Sequence, residues 1–136
     1  IKEGSPLMRK IAEFWTSRAS KNTNGSYSIR YVIGADEYAE GVDDNAFTNA
    51  AAKKALEYAT LASAICGKTA PHIWKEISDN LVIGQMQNGV TQEYQGYKGE
   101  TIKQADANLL AYPLGIITDP KQIKKDLEYY AAKVDQ

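Results

Sequence analysis

A single cysteine, Cys66, excludes an internal disulfide and says little about compartment. At the end of a helical stretch it reads as a small buried apolar residue. A single histidine, His72, has no second His or Cys near it, so no metal-ligand spacing can be drawn, and no metal site is expected. It falls in the first turn of a helix and reads as a surface or capping residue. Neither sign of charge is in excess: sixteen Lys and Arg face seventeen Asp and Glu, for a net charge of −1. That balance removes the basic footprint of a nucleic-acid or anionic-membrane binder, so neither partner is expected. No apolar run approaches the roughly 20 residues that a spanning helix needs. There is no internal repeat and no low-complexity tract. The start, Ile1-Lys2-Glu3-Gly4, has no initiator Met and does not read as a signal peptide, so a piece of a longer protein is expected. At 136 residues the chain is nonetheless long enough for a real core.

What is present is mostly helical. Ser5-Pro6 is expected to open a first helix, with Ser5 as N-cap and Pro6 at the first helical position. Leu7, Met8, Ile11, Phe14, Trp15 and Ala19 then follow at three- and four-residue spacing, which predicts one buried stripe. Trp15 or Arg18 could alternatively line a ligand pocket. The turn residues from Ser20 to Gly25 stop that helix. Ser26 to Ile33 alternates around Tyr27, Ile29, Tyr31 and Ile33 and predicts a short strand or extended arm, in a local hairpin that leads into the following acidic stretch. The longest helix is predicted from Asp44 or Asn45 to about Cys66, with Gly67 as its stop. Its alanines allow close helix approach. A further helix spans about 70–81, with Ile73, Trp74, Ile77 and Leu81 on one face. Val82-Ile83 and Val90-Thr91-Gln92 read as short extended pieces around a turn. A helix carrying Ala105, Leu109, Leu110 and Tyr112 follows. A last one is capped by Asp119 with Pro120 at its first position, and its apolar face is Ile123, Leu127, Tyr130, Ala131 and Val134. The count is about five helices with little strand.

The stretch from Val32 to Asn49 spends five acids, Asp36, Glu37, Glu40, Asp43 and Asp44, and two aromatics on eighteen residues. Gly34 and Gly41 bracket it and permit unusual backbone angles. By composition alone, a solvated acidic turn that caps the next helix would explain it, and for Asp43, Asp44 and Asn45 capping is the expectation. The spacing lacks the alternating ligands and closing Glu of an EF-hand, so calcium is not implied. Paired carboxylates also suit acid catalysis: one member stays ionised and hydrogen-bonded while the other is desolvated near a like charge.

Three ordered blocks resemble glycoside hydrolase family 65. Gly34, Asp36, Glu37 and Tyr38, then Val42, Asp43, Asn45, Ala46, Thr48 and Asn49, match that family's signature. Phe14-Trp15-Thr16-Ser17-Arg18 matches an upstream block. Lys103-Gln104-Ala105-Asp106 with Leu109-Leu110 and Tyr112-Pro113 matches a downstream one. The family holds maltose, trehalose and kojibiose phosphorylases together with hydrolases of α-glucosides. The resemblance implies that residues 1–136 form a single segment of an (α/α)6 barrel, incomplete at both ends. Helix faces meant for the remainder of the catalytic domain would lie bare and favour self-association.

The resemblance further implies that Glu37 is the general acid of an inverting α-glucoside hydrolase, in preference to Glu40. It implies that Lys103 and Gln104 bind the glucosyl unit, with Asp36 and Tyr38 in support. Lys supplies three donors and Gln both a donor and an acceptor for sugar hydroxyls. Taken alone, Lys103-Gln104 would be a surface pair, and Asp106 is expected to bond backbone. Ala35, Ala39, Asp44 and Phe47 depart from the family's usual Pro, His, Asn and Tyr, which bears on acceptor specificity more than on the acid. The run Leu109 to Pro113 looks more like the hydrolase members. No cofactor is implied, although inorganic phosphate would be co-substrate in a phosphorylase. The alternatives are that inverting disaccharide phosphorylase and a non-catalytic carbohydrate-binding helical module. The catalytic base and any phosphate-binding segment would lie beyond Gln136.

Overall fold

A computed structural model describes residues 3–135. It is mainly helical, with four α-helices and one two-stranded sheet among those residues. Helix α1 (Gly4–Arg18) runs into strand β1 (Ala19–Lys21), which pairs antiparallel with β2 (Tyr27–Ile29). The expected hairpin is therefore present, but its first strand comes from Ala19, read as the end of the helical stripe, and from Ser20 and Lys21, read as turn. Its second strand is shorter than the alternation suggested. It ends at Ile29 because Tyr31 takes a left-handed φ of 56° and turns outward.

Helix α2 (Ala46–Ile65) is the axis of the fold. Asn45 caps it by accepting from the Thr48 N–H at 2.9 Å, and Gly67 at φ 67° lies just past its end. Ala52, Ala59 and Leu56 face α1 and helix α3 (His72–Asn80). The small side chains let those helices close around Ala12, Trp74 and Ile77, with Tyr27 and Ile29 of the hairpin sealing the same core. Arg9 lies over the Trp74 ring and donates to Ser63 Oγ at 2.9 Å, which seals the outer edge.

A second core holds Val90, Tyr97, Ile102, Ala107 and Tyr130 and joins the loops after α3 to helix α4 (Pro120–Ala131). Asp119 and Pro120 start α4 as expected, with Asp119 accepting from the Lys121 N–H at 3.1 Å. A third small core, Ala46, Ala50 and Leu110, fixes the start of α2 against a 3₁₀ helix (Asp106–Leu110).

Several local expectations are corrected. Ser5 lies inside α1 and makes no cap bond, because the helix already starts at Gly4. The stripe on α1 is only partly buried: Met8, Ala12 and Trp15 pack inward, while Leu7, Ile11 and Phe14 are exposed. Arg18 donates to the Arg30 carbonyl at 2.8 Å and so ties the hairpin. Asp44 does not cap α2. It is buried at φ 50° and accepts from Ser28 Oγ, Asn49 Nδ2 and the Ile29 N–H. Cys66 is half-buried, because it occupies the helix end and not its packed face. The α-helix expected around 105–112 is a short 3₁₀ helix (Asp106–Leu110), whose first two N–H groups the Glu93 carboxyl accepts. The buried face of α4 is rotated: Asp126 and Tyr130 point inward while Leu127 and Ala131 face outward. Asp126 is drawn in because Thr91 donates both its N–H, at 2.9 Å, and its hydroxyl, at 2.7 Å, to that carboxylate.

Candidate active site

The acidic stretch folds as a closed loop. Its neck is an antiparallel bridge between Val32 and Val42, with N–H to carbonyl distances of 2.9 and 3.0 Å. Asp43 reinforces the neck by accepting from the Tyr31 N–H at 2.9 Å and from Arg30 at 3.1 Å. Gly41 turns the chain at φ 66°. Glu37, Tyr38 and Glu40 stand on the exposed part of this loop.

Asp36 does the opposite of its neighbour. It is 1% exposed, and Oδ1 accepts from the Lys103 N–H at 2.9 Å and from the Tyr38 N–H at 3.2 Å. Its own N–H donates to Asp106 Oδ1 at 2.9 Å. The second oxygen of Asp106 accepts from Asn45 Nδ2 at 2.6 Å. Glu93, 0% exposed, accepts from the Asp106 N–H on one oxygen and from the Ala107 N–H at 2.9 Å on the other. The Glu93 carbonyl accepts from the Ala46 N–H at 2.9 Å. Three loops and the start of α2 thus meet in one buried polar network. N–H donors occupy both oxygens of Glu93, both of Asp106 and one of Asp36.

This network carries Glu37 and Lys103 to one place on the surface. The Lys103 ammonium pairs with Glu37 Oε2, and Gln104 Nε2 donates back to the Ala35 carbonyl. Tyr38 donates its hydroxyl to Asp135 at 3.0 Å. The residues expected to act together therefore adjoin one another, although 66 positions separate Glu37 from Lys103. Their electrostatics differ from the expected pattern. The hydrogen bond and charge of Lys103 hold the Glu37 carboxyl below its ordinary range, and the Glu37 side chain is 66% exposed. The desolvated members are instead Glu93 and Asp106. Burial pushes Glu93 up to about 8, against the pull of two backbone N–H bonds, with the charges of Asp106 and Asp36 adding to the rise. Burial also raises Asp106, although Asn45 and backbone N–H groups oppose it.

Asp106 does bond backbone, but not at the helix start as expected: it accepts the N–H of Asp36, 70 positions away, because the acidic loop packs against it. Glu93 was not singled out from the sequence. Its only local signal is an acid inside Val90-Thr91-Gln92-Glu93-Tyr94, where a short extended piece into the core leaves little room for one.

The model of the glycosyl hydrolase family 65 central catalytic domain matches residues 1–101, a span that includes Glu37 and Glu93 and stops short of Lys103. The chain belongs to glycoside hydrolase family 65. Among its relatives, a kojibiose hydrolase of Flavobacterium johnsoniae is 49% identical over 134 residues, covering 98% of this chain and 20% of that protein. A kojibiose hydrolase of Mucilaginibacter mallensis is 50% identical over 132 residues, covering 97% and 20%. A protein-glucosylgalactosylhydroxylysine glucosidase of Danio rerio is 38% identical, covering 97% and 21%. The chain thus spans about a fifth of the length of the curated relatives it matches. A solved human-microbiome structure, described as a kojibiose phosphorylase, superposes with a TM-score of 0.79 over 96% of this chain and 24% of its own. At 20% identity that likeness shows the fold alone.

Proposed function

We propose that this chain is the part of an α-glucoside hydrolase that supplies the general acid, Glu37, and the glucosyl-binding pair Lys103 and Gln104. Its helices belong to an (α/α)6 barrel whose other helices cover the bare apolar faces of α1 and α2. Those faces carry Leu7, Ile11 and Phe14 on α1, and Tyr58, Leu61 and Ile65 on α2. Outside the barrel they would drive self-association. The observation that carries the reading is the pairing of Glu37 with Lys103 over a buried network that fixes both backbones.

The chemistry follows from that pairing. An inverting hydrolase needs an acid to protonate the leaving oxygen and a base across the sugar to activate water. Lys103 keeps Glu37 ionised while the two are in contact. A sugar hydroxyl that takes the Lys103 ammonium breaks the pair, and enclosure by the bound sugar desolvates Glu37. Both changes raise its pKa toward the working pH, so the acid becomes competent when substrate arrives. Asp36 lies buried beneath it and accepts the Tyr38 and Lys103 N–H groups. The reading needs no cofactor. Hydrolysis is preferred to phosphorolysis because the relatives near 50% identity are kojibiose hydrolases.

The test uses the full-length protein that carries this sequence, incubated with kojibiose, nigerose, maltose and trehalose, with and without phosphate. Free glucose in both conditions supports the reading. Glucose 1-phosphate formed only with phosphate replaces it with the phosphorylase. Glu37→Gln is expected to lower turnover by about 10²–10⁴, the size of a general acid's contribution. Turnover surviving nearly intact removes Glu37 from the acid role.

A further inference from the structure

Glu93 makes the network rigid at a point remote from the proposed chemistry. It is fully buried, yet it carries a carboxylate, and both oxygens are committed to successive backbone N–H groups, those of Asp106 and Ala107. Apolar side chains of similar size would fill the same volume without the cost of burying a polar, ionisable group. A group retained at that cost has work that volume does not explain. What it holds is informative. Asp106, fixed through its N–H by Glu93, accepts the Asp36 N–H at 2.9 Å. Asp36 accepts the Lys103 N–H at 2.9 Å and is joined by one peptide bond to Glu37. The bonds therefore run from Glu93 to Asp106 to Asp36, and end at the backbones of both residues of the surface pair.

We infer that Glu93 is a positioning residue that acts through Asp106 and Asp36 to set Glu37 against the bond it protonates. The inference rests on the general-acid reading of Glu37. Gln at position 93 has one acceptor oxygen for two N–H donors, and its own NH₂ faces the second. The Asp106–Ala107 backbone must then shift, and Asp36 with it. Displacing a catalytic group by about 1 Å costs on the order of 10²-fold in rate.

The experiment compares two substrates of the full-length protein: kojibiose, whose leaving sugar needs a proton, and α-glucosyl fluoride, whose leaving fluoride needs little proton donation. Glu93→Gln is expected to lower kcat on kojibiose by about 10- to 100-fold and kcat on the fluoride by several-fold less. Equal losses on both substrates, or no loss, overturn the inference, because a purely structural defect lowers the fraction of active protein for both alike. Glu37→Gln is measured alongside. If it spares kojibiose turnover, the general-acid reading fails and takes this inference with it. If it shows the split and Glu93→Gln does not, only the inference fails. Should Glu93→Gln not fold, Asp106→Asn breaks the relay one step nearer Glu37 and is read by the same two substrates with the same outcomes.

Discussion

Gly34→Ala is expected to disable the site from a position that makes no hydrogen bond through a side chain. A Cβ built on Gly34 falls 2.8 Å from Asn45 Cγ and closer still to Asn45 Nδ2 and Asp106 Oδ2, whereas ordinary contact begins near 3.4 Å. These two side chains are bonded to each other at 2.6 Å and are buried, so neither can swing into solvent. Forcing a methyl group into a packed site costs about 1–3 kcal/mol. Breaking the bond to a buried carboxylate adds about 1–3 kcal/mol more. The variant should therefore lose roughly 2–6 kcal/mol, and its activity should fall with it, because the displaced Asp106 also accepts the Asp36 N–H. The assay is denaturant unfolding of the full-length protein, paired with turnover at a temperature where both forms are folded. Gly25→Ala is the control: it has a left-handed φ of 87° but open space around the added carbon. It should cost only about 1–2 kcal/mol, from backbone strain, and leave turnover unchanged. Wild-type stability and turnover for Gly34→Ala would refute the claim that this backbone is pressed against the Asn45–Asp106 pair.

Two further predictions concern the same network. Glu93 has a folded pKa raised from 4.5 to about 8, so between those values the folded state holds a proton that the unfolded state has lost. Its contribution to stability is full below about pH 4.5 and declines as pH rises toward 8, by at most roughly 5 kcal/mol. Buried Asp106 shifts in the same direction, while the N–H bonds from residues 106 and 107 work against the Glu93 shift. Melting temperatures across pH 5–8 should fall less steeply in Glu93→Gln, and an unchanged slope would count against a titrating Glu93. Asn45→Ala should cost about 2–4 kcal/mol, from the lost cap and the unpaired Asp106 oxygen. Asn45→Asp keeps the cap but sets a like charge against Asp106, so it too should be destabilising in denaturant unfolding. A neutral Asn45→Asp would reduce Asn45 to a helix cap.

Much of the local structure was legible because it depends on neighbours in the chain. The extent of α2 follows from Asn45 before it, an alanine-rich middle and Gly67 after it. The start of α4 follows from Asp119-Pro120. The family motif singled out Asp36, Glu37, Lys103 and Gln104, and the structure places them together. Other features escaped a linear reading. Asp44 looked like a cap residue, but three donors from β2 and α2 claim its carboxylate. The inward face of α4 could not be read from its apolar residues, since Thr91, 35 positions earlier, holds Asp126 inside.

By itself the sequence determined that the chain is mainly helical, where most helices start and stop, and which acids stand in the family motif. These depend on caps, propensities and short spacings, whose energies are settled within a turn or two of chain. Tertiary structure alone decided which acids are charged on the surface and which are buried. Glu37 and Asp36 are adjacent and both acidic, yet one faces solvent beside Lys103 and the other is buried and accepts the Lys103 N–H from a distant loop. A carboxylate's ionisation is set by desolvation and by the partners around it, and those are assembled only when residues 36, 93 and 106 meet.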